Sequence, residues 1–305
     1  MLTDAQKQIR FQGIGGSDVA AMLGLSPWRT PMSLYLEKVN HLVDENQNLF
    51  MELGHDLEPI VAKYFEKKTN KKCELAEETI IHPEFKFMLA NVDRRIADEN
   101  ALLECKATGE LTKSKGWGDE GTDEMPQHYL LQIAHYAMVC NVEIVYLAAM
   151  SWGREVKIYT YQRNHKLEAK LLQREKDFWL NHIEKRIPPA PTNLEDVKAF
   201  WADAGMGKIL SADKAIEDSW EKMSVINKQI KELEKQKEEL QFRLCEAIQD
   251  NEIVKDAAGK VLITWKNRSN NRFDVTAFKK EHPDLFDKFT KQSTTRVFLL
   301  KESKE

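Results

Sequence analysis

No stretch of this sequence approaches the roughly 18 to 20 consecutive apolar residues that a membrane span needs, and its opening, MLTDAQKQIR, lacks the apolar run of a secretory signal. These absences set aside membrane-spanning and exported classes, and a cytoplasmic protein with no membrane partner is expected. Cysteine is scarce as well. Cys73, Cys105, Cys140 and Cys245 lie far apart, without the paired short spacing of a zinc or redox motif, so reduced and mostly buried thiols are expected. Nor is there an excess of positive charge. A formal net charge of −4 argues against a nucleic-acid coat protein while leaving room for a local basic groove. No repeat of 20 to 50 residues is present, and the only biased tract is a Lys/Glu-rich helix face near residue 235.

What is present is an apolar content of 42%, enough for at least one substantial core. Residues 1–187 read as mixed α/β. Helical patterns cover Ser17–Leu23, Pro31–Lys38 and Leu57–Lys68. The apolar-rich runs IIHPEFKFMLANVDRRIA and ALLECKAT are separated by the turn cluster Asp98-Glu99-Asn100 and predict a hairpin. A helix MPQHYLLQIAHYAMVC follows, ending before Asn141, then the strands IVYLAAMSW and EVKIYTYQ and a helix through Leu167–Glu184. Three of the nine prolines fall in Ile187–Pro191, a segment that cannot continue a helix. A domain boundary is therefore placed there, giving 1–190 and 191–305. Beyond it, Met223, Ile226, Ile230, Leu233, Lys237, Leu240, Leu244 and Ala247 recur by threes and fours, as in a coiled-coil-like arm. Intramolecular packing, self-association and a partner protein would each cover that stripe. A strand Gly259–Trp265, a short helix Val275–Glu281 and RVFLLKE, a candidate partner for that strand, complete a small α/β piece.

The chemistry gathers on the hairpin. Asp93 lies on its first strand, Glu104 and Lys106 on its second, and side chains two apart share one face of a strand. Leu103 and Cys105 then point to the opposite, apolar side. Two carboxylates and an ammonium in one place suit phosphodiester hydrolysis: hard oxygen ligands hold Mg²⁺, and a lysine orients the nucleophile or stabilises growing charge. The Cys105 carbonyl is a further candidate ligand. A bare Asp…Glu-x-Lys pattern is most often an exposed hairpin, so the neighbouring segments decide. Glu58 sits on the preceding helix, and Gln132 and Tyr136 share a face of the following one.

These segments, in this order, resemble the PD-(D/E)xK nuclease superfamily, with Val92 where the family usually has proline. Residues 10–29, RFQGIGGSDVAAMLGLSPWR, are similar to the opening of the YqaJ-type viral recombinases, the family of phage lambda exonuclease. The resemblance runs from about Arg10 to near Gln162. It implies a restriction-endonuclease-like α/β core with a mixed central sheet flanked by helices. It also implies a magnesium-dependent exonuclease (Mn²⁺ substituting) that digests the 5′-ended strand of duplex DNA, releases mononucleotides and leaves 3′ single strands for phage-type recombination. In that reading Asp93 and Glu104 bind the metal with Glu58 in support, Lys106 positions the attacking water, and Gln132 and Tyr136 orient Lys106 or the scissile phosphate. Arg10 and Ser17 match the residues that hold the 5′-phosphate. A single-strand annealing protein and a homotrimer are the partners the family implies.

Several other residues read two ways. Gly13, Gly15 and Gly16 allow close backbone approach, and Ser17 is expected to cap the helix that follows. His128 and His135 read as a polar helix face, not a metal pair. Trp28 reads as a packing or loop-anchoring residue. Trp117, beside Lys113, Lys115 and Gly116, suits base stacking equally well. Arg94 and Arg95 fit either phosphate contacts or surface ion pairs. The catalytic residues do not separate end from interior cleavage, so a site- or structure-specific endonuclease remains open. An inactive DNA-binding scaffold is opposed by the retention of Asp93, Glu104 and Lys106.

Overall fold

Short elements at the start of the chain are fixed by their caps and turns. Strand β1 (Ile14–Gly15) runs straight into helix α1 (Gly16–Met22). Helix α2 (Pro31–Asn40) begins on Thr30, whose hydroxyl accepts from the Ser33 amide at 3.0 Å, with Pro31 in the first helical position. The computed structural model describes residues 8–41, 49–76, 78–151, 154–202, 208–291 and 295–301; Trp152 of the expected strand lies outside them.

Helix α3 (Leu49–Thr69) is followed by strands β2 (Cys73–Leu75), β3 (Ile80–Ile81), β4 (Met88–Ala90), β5 (Arg94–Ile96) and β6 (Ala101–Thr108). Helix α4 (Gln127–Cys140) ends on Asn141, which takes the left-handed conformation at φ +51° that asparagine tolerates. Strands β7 (Ile144–Ser151) and β8 (Glu155–Gln162) come next, then helix α5 (His165–Phe178), a π-helical turn Trp179–Glu184, and helix α6 (Leu194–Phe200).

The first expected strand of the hairpin is broken into three. β3 pairs with β4, and β4 pairs in parallel with β1, forming a small sheet β1-β4-β3. Only β5 enters the main sheet, whose order is β2-β5-β6-β7-β8. Within it β6 and β7 are parallel and the other pairs antiparallel, so the sheet is mixed, as expected. The β5–β6 hairpin forms across the expected turn. Each face has its own core. Leu103, Cys105, Ala148 and Met150 meet Val61, Ala62 and Phe65 of α3. Leu102, Leu147 and Ala149 face the side that carries Ile133, Ala137 and Val19.

The chain divides into two compact units, Met1–Phe200 and Trp201–Glu305. The division falls ten residues beyond the proline cluster because α6 stays with the first unit. Its Asp196 accepts from the Thr30 hydroxyl at 2.6 Å and from the Thr192 amide at 2.8 Å.

The second unit, described by itself, holds helix α7 (Lys214–Ile248), strands β9 (Ile253–Lys255) and β10 (Val261–Thr264), and helices α8 (Val275–Glu281) and α9 (Pro283–Phe289). Strand β10 pairs with β9, and RVFLLKE is no strand across its described residues, 296–301. A hairpin closed through Asp256 and Gly259 needs a far shorter loop than pairing with the distal segment. The expected stripe on α7 is real and half exposed. Met223, Ile226, Ile230, Leu233, Leu240 and Leu244 lie between 40% and 63% accessible.

Candidate active site

The site begins where a β-ladder stops. β5 pairs with β6 only as far as Arg94 opposite Leu103. Past that point the Cys105 amide donates to Asp93 Oδ2 at 2.7 Å. Asp93 therefore stands immediately before β5 and not within it, fastened to the second strand by its own side chain. The amide and carbonyl of one strand residue point to the same side, so the Cys105 carbonyl faces the edge where Asp93 lies.

Glu104 and Lys106 project together to the opposite face of the sheet from Leu103 and Cys105, as the alternation requires. Lys106 Nζ lies 2.6 Å from Glu104 Oε1. Gln132 Nε2 donates to the same oxygen at 2.7 Å and contacts the Tyr136 hydroxyl at 3.0 Å. Glu104 is buried, and its Oε2 is enclosed without any hydrogen-bond partner. Leaving such an oxygen dry and unpaired is costly.

Electrostatics agree with the geometry. Burial first, then the Glu104 and Glu58 charges, push Asp93 well above the usual carboxylate range despite Lys106. Burial also raises Glu104, with Lys106 opposing and Glu58 adding to it. For Lys106, burial opposes the charge, but Glu104 and Asp93 outweigh it and raise the ammonium's pKa. Burial keeps Tyr136 and Tyr129 protonated. The site is thus a crowded set of carboxylates that resist full ionisation beside a firmly charged lysine.

Glu58, on α3, pairs with Arg94 Nη1 at 2.5 Å. Arg94 is itself buried, so it is an internal ion pair and not a free phosphate contact, whereas Arg95 is exposed. Among the described residues no three His, Cys, Asp or Glu side chains form a ready-made metal cage. The oxygen donors that fit a divalent ion are two carboxylates, one with an unpaired buried oxygen, and a backbone carbonyl. That is a partial set of the kind that suits an ion keeping several of its waters.

The glycine-rich opening is built around close contact. A Cβ on Gly16 would come within 2.5 Å of Tyr136 Cε1 and 3.0 Å of Gln132 Cγ, so only glycine lets the start of α1 rest on these two site residues. Ser17 does not cap α1. Gly15 occupies the cap position, and its amide donates to Asp18 Oδ2 at 3.1 Å, leaving Ser17 exposed in the first turn. The helix starts there because Gly15 holds the extended cap conformation and Asp18, three residues on, reaches its carboxylate back to the Gly15 amide.

Sequence reasoning missed the buried cluster behind it. Asp18 contacts Lys38 Nζ at 2.7 Å and Arg29 Nη1 at 2.7 Å. Arg29 also pairs with Glu37, as does Arg10 at 3.2 Å. Burial alone would raise Asp18, but Lys38, Arg29 and Arg10 hold it far below the usual range. Arg10 keeps a partly exposed guanidinium on this frame. A sequence signal existed in the polar residues scattered through an otherwise apolar α1–α2 segment, though nothing in their spacing paired them.

Other expectations are reversed. His135 is not on a polar face but fully buried, with Nδ1 against Glu175 at 3.0 Å and Nε2 at 2.9 Å from the Leu89 carbonyl. Of the two readings of Trp117 the packing one holds, with the ring buried against Tyr129 and Tyr159, while Trp28, expected to pack or to anchor its loop, is 71% exposed. The cysteines follow expectation more nearly: all four are free, Cys105 buried and the other three partly buried.

The fold is that of an alkaline exonuclease. It superposes on the alkaline exonuclease LHK-Exo of Laribacter hongkongensis with a TM-score of 0.50 at 18% identity, covering 61% of this chain and 94% of that one. A second structure of LHK-Exo, in complex with dAMP, gives a TM-score of 0.51 at 18% identity, covering 65% and 97%. Residues 6–143 match the YqaJ-like viral recombinase domain. The protein YqaJ of Bacillus subtilis (strain 168) is 33% identical over 300 residues, covering 96% of this chain and 92% of that protein. The chain belongs to the YqaJ-like viral recombinase family.

Proposed function

We propose that this protein is a magnesium-dependent exonuclease of double-stranded DNA that degrades the 5′-ended strand, releases mononucleotides and leaves a 3′ single strand. The observation that carries the proposal is the convergence of Asp93, Glu104 and Lys106 at the end of the β5–β6 ladder, with Glu104 Oε2 buried and unpaired. Membership of a viral recombinase family and the alkaline exonuclease fold support it.

Asp93, Glu104 and the Cys105 carbonyl would hold the ion, with Mn²⁺ able to substitute. When bound, it supplies a polarised phosphoryl oxygen and a more acidic water. The remaining work belongs to the chain. Lys106 keeps its proton, offering a fixed positive charge to orient a nucleophilic water and meet charge growing on the phosphate. Gln132 holds Glu104 Oε1 and so fixes which of its oxygens is free. Tyr136, resting on Gly16, locks Gln132 from behind. Glu58 and Arg94 support the acidic side as a pair, and Glu58 is close enough to act on both carboxylates.

Arg10 and Ser17 are proposed to hold the 5′-phosphate. Both are accessible at the start of the chain's first elements, and Arg10 is preoriented by Glu37 and Asp18. The dAMP bound in the LHK-Exo complex fits a mononucleotide product for this site.

The test is digestion of a linear duplex labelled separately at its 5′ and 3′ ends, with and without Mg²⁺, beside a covalently closed circle. Release of label from the 5′ end first, only with metal and with the circle intact, is the expected result. Nicking of the circle would replace the exonuclease reading with an endonuclease one, and hydrolysis without metal would overturn the metal assignment.

A further inference from the structure

We propose that Trp28 is a stacking platform for a nucleobase at the mouth of this site, an inference that rests on the DNA reading above. An indole 71% exposed to water is unusual for so large an apolar ring, and here flexibility does not account for it. The main chain around it is tied down. Ser26 Oγ accepts from the amides of Trp28 and Arg29, both at 3.2 Å. Arg29 is gripped by Asp18 and Glu37, and Thr30 caps the next helix. The backbone is fixed on both sides while the ring is left outside the fold.

Its surroundings lead to the catalytic lysine. The indole stands edge-on to His128 with centroids 5.0 Å apart and an interplanar angle of 85°. His128 lies against Tyr129 at 4.1 Å, and Lys106 Nζ sits 5.5 Å from the Tyr129 ring centroid. An aromatic row thus joins an exposed tryptophan to a residue proposed to touch the scissile phosphate. A second observation points to a ligand at the same corner: His128 Nε2 is enclosed and has no hydrogen-bond partner.

The chemistry of the corner selects a base over a phosphate. Burial and the nearby Lys106 charge lower the His128 pKa, so the ring adds no positive charge to attract an anion and offers only the single N–H and single lone pair of a neutral imidazole. Flat aromatic faces beside a fixed cation are what a stacked nucleobase next to its own phosphate requires. Such stacking tolerates any base, which suits an enzyme that must advance through every sequence.

The experiment uses the full chain and a 5′-phosphorylated duplex carrying 2-aminopurine at the terminal position, in EDTA so that binding is read without turnover. Wild type is expected to quench the 2-aminopurine on binding. Trp28→Ala is expected to abolish that quenching and weaken binding about tenfold, the size of one lost base–aromatic stack. Trp28→Phe should restore most of both, and thermal melts of the two variants should match wild type because the ring is outside the core. Equal quenching and equal affinity in Trp28→Ala would overturn the stacking assignment while leaving the nuclease reading standing. A wild type that binds no duplex end either in EDTA or with Ca²⁺ in place of Mg²⁺ would overturn both.

Discussion

The Cys105 amide and the Asp93 carboxylate meet at 2.7 Å, replacing the ladder hydrogen bond that β5 and β6 would otherwise make. One carboxylate oxygen therefore serves the fold while the charge serves the proposed metal. The two roles separate by substitution. Asp93→Asn keeps an oxygen for the amide and removes the charge, so it should melt near wild type while losing about a hundredfold or more in turnover. Asp93→Ala should lose both turnover and stability. Equal melting of the two variants would show that the hydrogen bond is dispensable.

Gly16 is predicted to be irreplaceable because of what it touches. In Gly16→Ala the new Cβ meets Tyr136 at 2.5 Å, and overpacking of this kind costs about 1–3 kcal/mol. Turnover should fall as well, because the displaced Tyr136 and Gln132 release Glu104. Adding Tyr136→Leu should recover stability but not turnover. Urea unfolding of the single and double variants reads the first effect, and nucleotide release the second.

Asp18 is the anion of the buried cluster, and its removal leaves the fully enclosed Lys38 ammonium without its carboxylate. Breaking one partner from a buried pair typically costs about 3–5 kcal/mol. Asp18→Ala is expected to lose stability on that scale, and Asp18→Ala with Lys38→Met to regain part of it. A loss below about 1 kcal/mol would mean that water reaches the cluster.

His135 carries a pH signature. Burial opposes its charge, but Glu175 and the Leu89 carbonyl outweigh it and raise the folded-state pKa. A group whose folded pKa is raised stabilises fully below its unfolded value, about 6.5, and that contribution disappears as pH climbs through the folded value. Stability of the wild type should therefore decline as pH rises above about 6.5, and His135→Gln should lack that component of the decline. Urea titrations across that range check it. A wild-type profile that rises with pH there, or one that the substitution leaves unaltered, would contradict the pairing.

Much of this was legible in residues 93–136. The spacing of Glu104 and Lys106 fixes a shared face because a strand's period is two, and the match of Gln132 and Tyr136 on one helix face needs only the helical repeat. The hairpin turn and the helix ending at Asn141 follow from local residue chemistry. What local pattern does not contain is partnership across distance. Asp18 with Lys38, Arg29 with Glu37 and His135 with Glu175 are polar residues whose burial only tertiary packing reveals. The same gap explains the exchange between the tryptophans. Trp117 stands in a basic, glycine-containing stretch yet its ring packs on Tyr159, whereas Trp28 follows the apolar run of α1 and a Ser26 turn that leaves its ring exposed. Ser17 is not the cap because the helix begins two residues earlier, on Gly15, whose amide is held by the Asp18 carboxylate.

Glu104, through its unpaired oxygen, is proposed to be part of a metal-dependent catalytic centre. Glu104→Gln changes one oxygen to an amide and leaves the volume unchanged. The decisive measurement is the initial rate of acid-soluble nucleotide release from a linear duplex in Mg²⁺ by wild type and by this variant, at matched folded concentration. A rate lowered at least about a hundredfold in Glu104→Gln, with wild type inactive in EDTA, is the result predicted. A variant that digests the duplex at the wild-type rate would contradict it.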